Sequence, residues 1–94
     1  MPQNQSPTLD EVLSSRGRVR ILMILTRIPE LNISDIARRV GLNYATTDKH
    51  LKELEGARLV QQKRFGRIRI YKLNDLDPRV AAVKKLVDFW ETKS

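Results

Sequence analysis

The stretch from Ile33 to Leu73, ISDIARRVGLNYATTDKHLKELEGARLVQQKRFGRIRIYKL, decides the fold, because two short amphipathic segments around a tight turn run straight into a basic, β-rich pair. In the first segment Ile36, Ala37 and Val40 form an apolar stripe at helical spacing, with Ser34 as cap candidate and Arg38 and Arg39 on the other face. Gly41 supplies the stop, since glycine enters the positive-φ region that other residues resist, and Gly41, Leu42 and Asn43 make a three-residue connection with Leu42 turned to the core. Asn43 then caps a second helix running from Tyr44 to about Glu55. Its inward positions are Thr47, Leu51 and Leu54, four and three apart, which leaves Tyr44, Ala45, Asp48, Lys49 and Lys52 on the outer face.

Gly56, Ala57 and Arg58 close that helix, and LVQQKRFGRIRIYKL gives two β-rich runs around Phe65 and Gly66, a hairpin. Lys63, Arg64, Arg67 and Arg69 flank its tip, and a thin ribbon with four cations suits a phosphate backbone or a narrow minor groove. The competing reading is a solvated edge strand protected from aggregation by charge. No acidic residue interrupts Leu59 to Leu73, which favours the nucleic-acid role. Helix, turn, helix and basic hairpin in this order read as a winged helix-turn-helix: a mainly helical α+β fold with a two-stranded wing, whose second helix is the recognition helix.

Upstream, Thr8 followed by Glu11 fits a capping box for a short helix over Leu9 to Leu13, and Ser14 or Ser15 caps the next one, which runs to about Arg27. Val19, Ile21, Leu22, Ile24, Leu25 and Ile28 cover so much of its circumference that it is expected to be the central, largely enclosed helix, ended by Pro29. Downstream, Asp77 and Pro78 fit the cap and first position of a last helix. Val80, Val83, Val87 and Trp90 follow at spacings of three, four and three, a short heptad-like stripe expected to form a homodimer seam; the competing reading folds that helix onto its own domain. The chain thus divides into a flexible tail at 1–7, a DNA-binding domain at 8–76 and a dimerisation helix at 77–94.

Ninety-four residues suffice for one domain with a modest core, so help from a second subunit is expected. Residues 1 to 33 carry four basic and three acidic groups, residues 34 to 73 ten and four, and residues 74 to 94 four and four, so the net +7 falls almost wholly on the quoted stretch. A local excess on one supersecondary unit is the electrostatic footprint of a polyanion partner. With no cysteine, disulfides, thiolate metal sites and cysteine nucleophiles are excluded; no metal or other cofactor is expected. The longest apolar run, Ile21 to Leu25, is too short to span a bilayer and the start MPQNQSPT lacks signal-peptide character, so no membrane partner and a cytoplasmic, nucleoid-associated location are expected. No paired-carboxylate, Ser/His or phosphate-loop constellation points to an enzyme.

GLNYATTDKHLKELEGARLV followed by a basic hairpin ending RIYKL resembles winged helix-turn-helix transcriptional regulators of the ArsR-like kind, and SSRGRVRILMIL resembles their entry helix. The resemblance covers about Ser14 to Asn74; its most telling parts are the Gly-Leu-Asn turn, the run from His50 to Glu55 and the Leu-Val opening the wing. The wording of Asn43 to Thr46 suggests an archaeal or archaeal-viral source. The resemblance implies a homodimer on a roughly two-fold operator, with recognition helices in successive major grooves and wings on the flanking backbone. By position, Asn43, Tyr44, Thr46, Asp48 and Lys49 match the front of the recognition helix, and Arg64, Arg67 and Arg69 the wing. Metal-sensing members use cysteines near the recognition helix or at the termini; this chain has none, so a cysteine switch is ruled out.

Several residues carry two readings. His50, one position before inward Leu51, reads as a half-buried packing residue more readily than as a phosphate contact. Tyr44 can give its hydroxyl to phosphate while its ring rests on sugar or a thymine methyl. Asp48 repels phosphate unless it accepts from cytosine N4 or pairs within the chain with Lys49, Lys52 or a neighbouring arginine, and the internal pair is favoured. Ser34, Arg38 and Arg39 are phosphate candidates, although exposed arginines on a short helix are often merely solvated. A protein-interaction adaptor and a weakly specific chromatin-like protein remain as alternative functions.

Overall fold

In a computed structural model, which describes residues 7–93, the chain forms α1 (Leu9–Leu13), α2 (Arg16–Arg27), β1 (Leu31–Asn32), α3 (Ile33–Val40), α4 (Tyr44–Gly56), β2 (Val60–Phe65), β3 (Ile68–Leu73) and α5 (Pro78–Lys93). The expected tail at 1–7 lies outside the described residues except for Pro7. Local chemistry sets most boundaries. The Thr8 N–H donates to the Glu11 carboxylate (2.7 Å) at the start of α1, and Ser15 rather than Ser14 caps α2 by accepting from the Arg18 N–H (3.2 Å). Gly41 ends α3 with φ at 75°, and Asn43 accepts from the Thr46 N–H (2.8 Å) to open α4.

The start of α3 corrects the sequence reading. Leu31 and Asn32 pair with Tyr71 and Ile70 of β3, so the sheet has three antiparallel strands in the order β1-β3-β2 where two were expected. Because extended backbone runs up to Asn32, that residue is the cap, its side chain accepting from the Asp35 N–H (2.8 Å), while Ser34 sits exposed in the first turn. A two-residue strand is too short to show alternation, so only its pairing reveals it.

The core gathers Ile21, Leu22 and Leu25 of α2, Ile36 and Val40 of α3, Leu51 and Leu54 of α4, and Val60, Tyr71 and Leu73 of the sheet. Val19, Ile24 and Ile28 are only half-buried, so α2 is enclosed less fully than its apolar count suggested. Beyond α4, Arg58 takes a left-handed conformation (φ 66°), and Asn74 fastens that corner by donating to the Arg58 carbonyl (2.9 Å). In the wing, Gly66 has φ at 60° in the first of two turn positions, where a type II′ hairpin takes glycine.

The expected seam on α5 is largely a core stripe. Val80 is 1% exposed and Val87 9%, and Val83 packs against the same cluster, so three of the four face their own domain. Arg27 of α2 forks onto Glu91, and Arg79 donates to the Ala57 carbonyl (2.8 Å), holding the helix down along its length. Residues 77–93 are therefore built onto the core. The exposed apolar residues of α5 lie one step round the helix, at Leu86, Phe89 and Trp90, and α1 exposes Leu9 and Leu13, with Leu9 and Leu86 lining one groove. Between α1 and α5 runs an apolar groove of about 390 Å³, lined by Leu9, Val12, Val83 and Leu86 among others.

Candidate nucleic-acid interface

Thr47, Leu51 and Leu54 anchor α4 in the core, so the opposite side of the helix faces outward. Tyr44, Ala45, Lys49 and Lys52 are exposed there, and Thr46 is half-buried. The wing projects from the same region. A cleft of about 270 Å³ is lined by Asn32, Ser34 and Asp35 at the start of α3, by Tyr44 of α4, and by Arg67, Ile68 and Arg69 of the wing. The tertiary structure thus brings three separately expected segments to one place.

The cations differ in what already holds them. Arg64 and Arg67 are exposed and have no ion pair or side-chain hydrogen bond among the described residues, and the same is true of Lys49 and Arg39. Lys63 reaches back to Glu30 (2.9 Å), whose carboxyl it draws below the ordinary range, and Arg38 pairs with Asp35 one turn away on α3 (2.7 Å). Such exposed pairs hold little energy and open readily to a competing phosphate.

Arg69 departs from the expected role. Its side chain is only 14% exposed and donates to Asp48 of α4 (2.6 Å), to the Tyr71 hydroxyl, and more distantly to the Tyr44 hydroxyl (3.4 Å). Arg69 shares its face of the sheet with Tyr71 and with its cross-strand partner Arg64, but it stands on the middle strand, where it meets Asp48 of α4, whereas Arg64 stands on the edge strand and stays exposed. Asp48 is paired internally, as favoured, with Lys52 on its second oxygen (3.1 Å). The Arg69 hydrogen bond, more than Lys52, holds the Asp48 carboxyl below its ordinary value against the opposing effect of burial, and Asp48 in turn raises the Arg69 guanidinium. Gln62 and Tyr71, which the sequence reading passed over, complete the network: Gln62 donates to the Tyr71 hydroxyl (3.0 Å), and the Tyr71 ring lies beneath the guanidinium. Tyr71 lies two residues on from Arg69, hence on the same face of β3, and Gln62 is its partner across the hairpin, so alternation and register together would have flagged both.

His50 is held as a packing residue. Its ring is wedged against Gly17 of α2, and its Nδ1 lies 3.5 Å from Glu53, which also receives Arg18 (2.9 Å). The cluster locks α2 to the back of α4, away from the wing.

This arrangement of core helix, helix-turn-helix and β-wing defines the winged helix-turn-helix class, and the arsR model of bacterial regulatory proteins matches residues 15–62. The chain belongs to the arsR family of bacterial regulatory proteins. It is 31% identical over 64 residues to an uncharacterized HTH-type transcriptional regulator, YdgJ of Bacillus subtilis, covering 65% of this chain and 39% of that protein's length. Among solved structures it is similar to the AntR antimony-specific transcriptional repressor (26% identity, TM-score 0.73, 88% of this chain and 73% of that one). It is also similar to the homodimeric winged helix-turn-helix DNA-binding domain Mb0332 of Mycobacterium bovis (26% identity, TM-score 0.69, 88% and 74%). The organisms named are bacteria, and nothing in these likenesses supports the archaeal source expected from Asn43 to Thr46. A soft ion such as AntR's antimony calls for thiolate ligands; this chain has no cysteine, and among the described residues no three His, Asp or Glu side chains are grouped to hold a metal ion. Among them, too, no helix is long and apolar enough to cross a membrane.

Proposed function

We propose that this chain is a sequence-specific, double-stranded DNA-binding transcription regulator acting as a homodimer. The observation that carries this reading is the cleft shared by Ser34, Tyr44 and Arg67, flanked by Lys49 and Arg64, cations that like Arg67 pair with no acid among the described residues. In it α4 enters the major groove, Asn43, Tyr44, Ala45, Thr46 and Lys49 reading base edges from its front turns, while Arg64 and Arg67 follow the backbone or enter the minor groove. Arg39 and the start of α3 meet phosphate, with Arg38 and Lys63 joining once released from Asp35 and Glu30. No thiolate metal switch enters the reading. The work of such a regulator is done at DNA in the cytoplasm.

The dimer face in this reading is the outer side of α5 with α1, namely Leu9, Leu13, Leu86, Phe89 and Trp90, rather than the valine stripe. An exposed apolar band of this kind marks an interaction surface, and the Mycobacterium bovis neighbour is homodimeric.

Selection of bound sequences from a random duplex pool tests the proposal. A two-fold motif with half-sites about one helical turn apart is expected; a single asymmetric site would count against the dimer, and uniform affinity for all duplexes would favour a chromatin-like role. No binding to any duplex at low salt would favour the adaptor. On the selected site, Arg64→Ala and Arg67→Ala should each lower the salt slope by about one unit, whereas Lys49→Ala should change preference among sites by roughly 1–3 kcal/mol if it reads a base.

A further inference from the structure

We infer that Arg69 and Asp48 form a positioning clamp that sets the wing against the recognition helix, so that Arg69 acts on DNA recognition without touching DNA. The inference rests on the DNA-binding reading above. The geometry has four parts. First, Arg69 reaches both Tyr44 and Asp48, one helical turn apart at the front of α4, so the start of β3, just behind the wing tip, grips the part of the helix that reads bases. Second, the grip is itself fixed from behind, because the buried Tyr71 hydroxyl receives Arg69 and Gln62 together and the Tyr71 ring backs the guanidinium. Third, both Asp48 oxygens are engaged, one by the half-buried Arg69 and the other by the exposed Lys52, so the acid's charge is already directed inward to the wing rather than offered to cytosine N4.

Fourth, the strand register demands a counter-charge at this point. Arg64 and Arg69 stand directly opposite each other across β2 and β3, hence on the same face, where like charges repel. Asp48 neutralises Arg69 there, and Arg64, the outer member of the pair, stays available at the tip. One acid on the reading helix therefore fixes the distance between helix and wing and lets a second arginine stand beside the first. A rigid separation matters because the two elements must enter or follow neighbouring grooves of one duplex at once, and a small misplacement of either loses both sets of contacts.

The experiment compares Arg69→Gln, Asp48→Asn and the double variant with the wild-type chain, on the selected site and on random duplex across a salt series, with thermal unfolding recorded for each. Each single variant should lose about tenfold in affinity for the selected site, the size of an ordinary pairwise coupling. Arg69→Gln should keep the wild-type salt slope, because no phosphate contact is lost. Asp48→Asn should hold or gain affinity for random duplex and steepen the slope by about one unit, because the released arginine can then meet phosphate. The double variant should lose no more than the worse single.

A slope lowered by about one unit in Arg69→Gln would make Arg69 a direct phosphate contact and overturn the clamp. So would losses that multiply in the double variant, or an unfolding temperature that falls while the ratio of selected to random affinity stays at the wild-type value. Should Arg69→Gln fail to fold, Arg69→Lys keeps the charge and gives up the forked geometry; loss of selected-site affinity at constant slope supports the clamp, and wild-type affinity overturns it. A wild-type chain that binds no duplex removes the DNA-binding reading and this positioning role together, whereas wild-type binding with any of the contrary results above removes the clamp alone.

Discussion

Replacing Gly17 by alanine opposes two effects of similar size, and the structure indicates which wins. Gly17 lies in the first turn of α2, and a β-carbon there would stand 2.7 Å from His50 Nε2, 2.9 Å from its Cδ2 and 3.1 Å from Leu42 Cδ1. Ordinary carbon contacts settle near ~3.5–4.0 Å, so the imidazole and the leucine must both retreat by roughly 0.5–1 Å. The ring is poorly placed to do so. Its other side approaches Glu53, which Arg18 holds at 2.9 Å, so displacing it presses on the bridge between α2 and α4. Overpacking of this kind costs about 1–3 kcal/mol, while the helix-propensity gain of alanine over glycine is at most about 1 kcal/mol and smaller in a first turn. Gly17→Ala is therefore expected to destabilise the fold by about 1 kcal/mol, lowering the melting temperature by roughly 4–8 °C in a domain of this size. Thermal unfolding followed by circular dichroism measures it, and His50→Ala in the same background should recover most of the loss through a coupling of about 1 kcal/mol. A Gly17→Ala protein that melts at or above the wild-type temperature, or one whose loss is unchanged by His50→Ala, would refute the steric reasoning.

The two sides of α5 should respond differently: Leu86→Glu is expected to leave the fold intact and shift sedimentation toward the monomer, whereas Val80→Ala, deep in the core, should cost about 2 kcal/mol of stability. Dissociation by Val80→Ala with Leu86→Glu still dimeric would restore the valine stripe as the seam. Arg58→Gly should stabilise by about 0.5–1 kcal/mol, because the left-handed conformation strains any residue with a β-carbon, and denaturant titration reads the change; a loss would mean that the Arg58 side chain has a role its exposure does not suggest. Asp48 supplies a pH signature. Its carboxyl titrates lower folded than unfolded, so its stabilisation is complete above the ordinary value of 3.8 and drains away as the pH falls through the lower folded value. The stability gap between the wild-type chain and Asp48→Asn should therefore close on acidification below that point, and parallel acid-unfolding curves would contradict it.

Helix-turn-helix order was legible because it rests on short-range rules. Gly41 needs a positive φ, Asn43 can reach the Thr46 amide, and Thr47, Leu51 and Leu54 recur at the helical period, all within one or two turns of chain. The hairpin was legible for the same reason, with Gly66 at a turn position between two β-rich runs. What misled was any inference that needed to know which neighbour a face would meet. Ser34 gave way to Asn32 because a strand pairing some forty residues distant extended the backbone before α3. The valines of α5 had the spacing of a seam, but spacing specifies only that residues share a face, and here that face closes over Leu22, Leu59 and Leu73 around the groove.

The amino-acid sequence by itself determined the succession of elements, the concentration of positive charge between residues 34 and 73, and the absence of cysteine, since these depend on residue identity and on neighbours along the chain. Only the tertiary structure decided how each cation is employed. Lys63, Arg64, Arg67 and Arg69 look alike as a sequence, yet Lys63 meets Glu30, Arg69 meets Asp48, and Arg64 and Arg67 stand outward. The physical reason is that a charge is defined by its partners, and strand register together with the packing of the helices and loops against the sheet chooses those partners from residues distant along the chain.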